Sequence, residues 1–143
     1  MIEYQVNIFK NIEQLMNEFE HVKEKMKQLV DSQKKYYVEK HIYLDLKYCG
    51  KDGCKFCPHN FIWIISYRDS KTGKLKKYEL GRKITHKILI KYNKNFLYPK
   101  LKELEKKANV IQAERDIIAK TLDRINKILN RYNQYKRSIE SNY

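Results

Sequence analysis

The chain has few of the residues that build catalytic loops and membrane spans. Its 143 residues include only 4 glycines, 2 prolines and 3 alanines. No glycine-rich phosphate loop can be assembled from them. The longest apolar run, Phe61 to Ile65, falls far short of the roughly 20 residues a bilayer requires. The polar start MIEYQVNIFKN is not that of a secretory leader. These absences predict a soluble intracellular protein without membrane association. Histidine is equally sparse. His21, His41, His59 and His86 are scattered, and none belongs to a nucleophile or two-histidine metal motif. The acids of the middle region (Glu39, Asp45, Asp52, Asp69 and Glu79) are too few for a two-metal nuclease. The 12 tyrosines lack an accompanying Arg/His catalytic set. The expectation is therefore that the chain is not an enzyme.

Positive charge, by contrast, is abundant: the net formal charge is +14, and it is unevenly spread. Residues 1–31 carry 4 basic and 6 acidic side chains, whereas residues 32–100 carry 17 basic and 5 acidic. The last 43 residues hold 10 basic and 6 acidic. A basic excess concentrated in the middle points to a polyanionic partner.

Hydrophobic periodicity divides the chain into three segments within one domain. Ile8, Ile12, Leu15, Phe19, Val22, Met26 and Leu29 alternate at spacings of four and three, the seam of a coiled-coil helix. Asp31-Ser32 is read as its end, giving an N-terminal helix within residues 1–31 of about 35 Å. The pattern then changes to period two. Residues 40–48 alternate as a first strand, FIWIISYR (Phe61–Arg68) is a central strand apolar on both faces, and Leu75–Leu80 is a third. Asp69-Ser-Lys-Thr-Gly73 is a turn between the last two. Ile84, Ile88, Tyr92 and Phe96 suggest a short helix from about Thr85, with a fourth strand as the alternative. This basic module spans residues 32–97. Residues 98–143 form a long helix with Pro99 in its first turn, where no amide donor is needed. Its seam runs Leu97, Leu101, Leu104, Ala108, Ile111, Arg115, Ile118, Leu122, Ile125, Leu129 and Tyr132, and only Arg115 interrupts it.

The fold class that follows is α+β. A small three-stranded antiparallel sheet, stapled by zinc, sits at the tip of an antiparallel helical coiled-coil hairpin. An N-terminal helix of that length leaves Ile118, Leu122, Ile125, Leu129 and Tyr132 bare. A homodimer through the C-terminal helix is the expected cover.

All three cysteines lie in KYCGKDGCKFCPHN (Lys47–Asn60). An odd number of clustered thiols in a reducing compartment favours metal over disulfides. Cys49, Cys54, Cys57 and His59 offer three sulfurs and one nitrogen, the closed tetrahedral set of a structural zinc site with no position open for a catalytic water. One zinc ion per chain is expected. His41 on the first strand is the alternative fourth ligand. An iron–sulfur cluster fits less well, because such clusters usually take four cysteines.

The run CGKDGCKFCPH, followed by FIWIISYRDSKTGKLKKYELG and a basic helix with a leucine-type repeat, resembles an uncharacterised family of small zinc-binding proteins from archaea and mobile elements. The resemblance spans about Cys49 to Leu129 and implies zinc-site roles for Cys49, Cys54, Cys57 and His59. It also implies that Ser66-Tyr67-Arg68 ends a strand. The chain departs from the family at Asn60-Phe61-Ile62, where Gly-Pro-Tyr is usual. The family carries no function to transfer.

The expected function is that of a zinc-stabilised, dimeric nucleic-acid-binding protein, a regulator or accessory factor of a virus or mobile element, with DNA ahead of RNA as the ligand. Lys71, Lys74, Lys76 and Lys77 load the hairpin, Arg68, Arg82, Lys83 and Lys87 flank it, and Tyr67 and Tyr78 interleave with these cations. The alternative is a coiled-coil interaction module whose zinc region binds a protein partner.

Overall fold

The structure is a computed structural model and describes residues 2–141. Helix α1 spans Ile2–Tyr37, strands β1, β2 and β3 span Ile42–Lys47, Asn60–Arg68 and Leu75–Gly81, and helix α2 spans His86–Lys91. A single 3₁₀ turn, Asn95–Leu97, leads into helix α3, Tyr98–Ser141. The fold is α+β, with one open antiparallel sheet in the order β1-β2-β3. No helix among the described residues is long and apolar enough to cross a membrane.

The helices pair antiparallel. Met26 and Val30 of α1 share a cluster with Leu101, Leu104 and Ala108 of α3, whereas Phe19 and Val22 share another with Ile118, Ala119 and Leu122. Rising numbers on one helix meet falling numbers on the other. The helix-side face of the sheet closes the first cluster with Ile42, Leu44, Phe61 and the fully buried Trp63. On its opposite face Tyr43, Ile62 and Ile64 form a smaller cluster with Tyr37. This explains why FIWII (Phe61–Ile65) is apolar at consecutive positions: both faces of β2 are covered.

Two sequence expectations about the helices need correction. Asp31-Ser32 does not end α1, which continues to Tyr37. Ser32 Oγ donates back to the Leu29 carbonyl at 3.0 Å, a bond a helix interior accommodates. One residue on, Gln33 is buried; its side chain accepts from Leu44 N–H at 2.9 Å and donates to Leu44 C=O at 2.6 Å. Gln33 thus covers the free edge of β1, and that tertiary pairing carries the helix past two weak helix formers. At 36 residues α1 is about 54 Å long, not 35. Ile118 and Leu122, expected to be bare, are only 8% and 6% exposed beneath Phe19 and Val22. Ile125 and Leu129 are half-buried, and only Tyr132 of that group is exposed.

The segment after β3 is the short helix α2 rather than a fourth strand. Thr85 caps it, its Oγ1 accepting from Ile88 N–H at 3.2 Å. Leu89 rather than Ile88 is its fully buried residue, and Phe96 is exposed. The helix is only six residues long, and Asn93 leaves it with φ of 59°, so a stripe at intervals of four is not continuous through Phe96.

Candidate metal centre and basic hairpin

Residues 48–59 connect β1 to β2 as a loop closed at its base. The ladder ends with Lys47 opposite Asn60, and His59 N–H donates to the Lys47 carbonyl at 2.9 Å. Between these anchors the chain reverses at Gly50 and Gly53, with φ of 75° and 72°, a region that favours glycine. The reversal brings one ligand atom from each of Cys49, Cys54, Cys57 and His59 within 4.8 Å of the others. Cys49 Sγ lies 3.4 Å from Cys57 Sγ, and Cys54 Sγ lies 3.4 Å from His59 Nε2. Metal–sulfur bonds of about 2.3 Å and metal–nitrogen bonds of about 2.0 Å set ligands roughly this far apart around one ion. The four residues can therefore hold a metal ion. His41, the alternative ligand, is elsewhere: its Nδ1 lies 3.2 Å from Ser66 Oγ, at the other end of the sheet.

The loop also prepares thiolates, the form that binds metal. The Cys54 pKa falls to about 6, chiefly through the Phe56 backbone N–H and then through the Cys49 and Cys57 thiols. For Cys57 the largest influence, the Cys49 N–H, lowers the pKa. Burial and the two neighbouring cysteines together outweigh it and raise the value. All three cysteines are free.

What holds the loop against the rest of the protein is Arg115, the residue that interrupts the α3 seam. Its side chain is buried and reaches across to the loop backbone. Nη2 donates to the Phe56 carbonyl at 2.7 Å, and Nε donates to the Pro58 carbonyl at 3.2 Å. Nη1 donates to Asp116 Oδ1 at 2.9 Å, which supplies the counter-charge a buried guanidinium needs. Arg115 Nη2 also lies 3.3 Å from His59 Nδ1. Arginine only donates, so that contact suits the ring protonated at Nε2. Metal binding at Nε2 requires the other tautomer, which leaves the carbonyls as the lasting partners of the guanidinium. One turn earlier Gln112 donates to the His59 carbonyl at 2.9 Å and accepts from Phe61 N–H at 3.1 Å. Phe56 packs edge-on against Phe19 of α1, whose ring also lies under Arg115. Neither Gln112 nor Arg115 was identified from sequence as a site residue. The available signal was a charge at an otherwise apolar seam position, but nothing local pointed to its target.

The basic residues sit elsewhere. β2 runs from the cysteine loop at Asn60 to the hairpin turn after Arg68, so the two features are separated by nine residues of strand, about 27 Å. Lys71 and Lys74 lie in the turn. Lys76 and Lys77 are on β3, Arg82 and Lys83 follow it, and Lys87 is on α2; all are exposed. The register divides the strand residues between two faces. Tyr67 opposes Lys76, and Tyr78 opposes Ile65 on that same, helix-side face, while Ser66 opposes Lys77 and Arg68 opposes Leu75 on the other. The sites expected from sequence therefore form a basic hairpin with cations on both faces rather than a single stripe. Asp69 orders the turn: its carboxylate accepts from Lys71 N–H at 3.0 Å and pairs with Lys76 at 2.9 Å, and these contacts lower its pKa in that order.

Comparison with protein families, with curated proteins and with solved structures found no match to this chain.

Proposed function

We propose that the chain is a zinc-stapled nucleic-acid-binding protein in which the metal fixes the base of a small sheet and the basic hairpin beyond it meets the ligand. One observation carries the binding reading. Between Arg68 and Lys94 there are 10 basic side chains and 2 acidic ones, and all of the 10 except the half-buried Lys94 are exposed. Both acids are already engaged, Asp69 with Lys76 and Glu79 with Lys47. Such a surface attracts phosphate. For the metal, three thiols and one imidazole support zinc in a closed structural site, one ion per chain. A three-stranded sheet whose β3 is almost wholly exposed buries little, and metal binding adds folding free energy directly.

The test is binding of duplex DNA, single-stranded DNA and RNA by the metal-loaded chain across a salt series. Log affinity is expected to fall linearly with log salt, by roughly 0.9 per phosphate neutralised on duplex DNA. Replacing Lys71, Lys74 and Lys77 together with Ala should flatten that slope by about one unit per lost contact. No binding to any of the three nucleic acids at low salt sinks the reading.

A further inference from the structure

We propose that Tyr67 and Tyr78 form a stacking platform for the unpaired bases of a single-stranded nucleic acid, an inference that rests on the nucleic-acid reading above and specifies its ligand. The register brings the two rings together. Tyr67 opposes Lys76 and Tyr78 opposes Ile65, so the tyrosines are diagonal neighbours on one face of the β2–β3 ribbon with Lys76 beside both. On that face Ile65 is buried in the core, whereas two residues further along the strand the cover ends. Tyr67 is 44% exposed and Tyr78 57%.

The rings are not only exposed but unengaged. Among the described residues neither makes a ring contact, a cation–π contact or a side-chain hydrogen bond. Tyr36, Tyr43, Tyr92 and Tyr98, in contrast, each lie beside a lysine ammonium. Two large aromatic rings kept free on one face, with Lys76 beside them and the exposed Lys71 and Lys74 in the adjoining turn, match a ligand that is aromatic and anionic at once. Nucleobases stack on such rings irrespective of sequence, while the backbone phosphates follow the cations. A duplex hides the faces of its bases and offers only their edges and its phosphates. It would use the lysines and leave the rings idle.

The experiment measures fluorescence anisotropy of a labelled mixed-sequence single-stranded DNA, the same sequence as RNA, and the DNA duplex, with the metal-loaded full chain at low salt. Tyr67→Ala and Tyr78→Ala should each weaken binding of single strands by on the order of ten-fold, with little change for the duplex. Tyr67→Phe and Tyr78→Phe should retain wild-type binding, because the ring and not the hydroxyl does the stacking. Comparison of the DNA and RNA arms identifies the preferred sugar. Both tyrosines are exposed, so circular dichroism should show all four variants folded. If the Ala variants hold single strands as tightly as wild type, or lose duplex and single strands equally, the platform is wrong while the nucleic-acid reading stands. If wild type binds none of the three ligands, the nucleic-acid reading fails and the platform with it.

Discussion

Arg115 on the long C-terminal helix donates to the carbonyl of Phe56 inside the cysteine loop at 2.7 Å, a contact that spans 59 positions of sequence. Through it, the helical hairpin and the candidate metal centre become one mechanical unit. The loop supplies the ligands, and the helix determines where the loop lies. Arg115→Ala leaves the carbonyls of Phe56 and Pro58 without their donor and Asp116 without its cation. The expected cost is about 2–4 kcal/mol. Arg115→Lys keeps the charge without the fork and should recover part of it. Thermal melting of the metal-loaded protein measures the cost, and the rate of metal transfer to a chelator shows whether the ligands themselves have loosened. Unchanged melting together with unchanged transfer would remove the latch.

Metal removal should be felt first in the sheet. Elemental analysis is expected to find one zinc per chain, and Cys54→Ser should abolish stoichiometric binding. Chelation should destabilise the protein by at least roughly 2 kcal/mol, a fall of about 5–15 °C in melting temperature. The near-ultraviolet signal of Trp63, which sits in the core on β2, should report that loss. A Cys54→Ser protein that retains full zinc and the wild-type melting temperature means the ligands are wrongly assigned.

The thiols of the metal-free protein should differ in reactivity. The Cys54 pKa is lowered to about 6, so its thiolate persists down to that pH and is lost below it. A depressed acid pKa stabilises the folded loop above the ordinary thiol range, and that contribution disappears as pH falls through about 6. Cys57 is shifted the opposite way and stays protonated to higher pH. Limited iodoacetamide treatment at neutral pH, read by peptide mass spectrometry, should label Cys54 before Cys57, and the preference should fade near pH 5. Earlier labelling of Cys57 contradicts the assignment.

The packing of α1 changes what a seam mutation does. Leu122 packs under Phe19 and Val22 within the same chain. Leu122→Asp should therefore destabilise the fold by about 3 kcal/mol or more, through lost burial and a buried charge. Tyr135→Asp, at an exposed position, should be nearly neutral. Melting curves read beside light scattering distinguish this from an effect on association alone. A Leu122→Asp chain with wild-type stability would show that the intramolecular seam is not formed.

Local chemistry was legible in the sequence because its partners are neighbours. Four ligands within eleven residues, two glycines that let their loop reverse, and a turn written Asp-Ser-Lys-Thr-Gly between two strands all act over a few bonds. The seams of four and three likewise announced both helices. Tertiary structure decided the rest. Asp31-Ser32 was read as a helix end, and Gln33, bonded to Leu44 on the edge of β1, carries the helix beyond it. Ile118 and Leu122, for which the sequence pattern suggests a second chain as cover, are instead packed under Phe19 and Val22 of α1. Arg115 shows in the sequence only as a charge interrupting an apolar seam; its partners, the carbonyls of Phe56 and Pro58, lie 59 and 57 positions away. Tyr67 and Tyr78 stand out in the sequence only as aromatics interleaved with the hairpin cations; the strand register is what puts both rings on one face. Turn chemistry and ligand spacing depend on adjacent atoms, whereas burial and hydrogen-bond partnership depend on groups brought together from distant parts of the chain, and no local pattern specifies those.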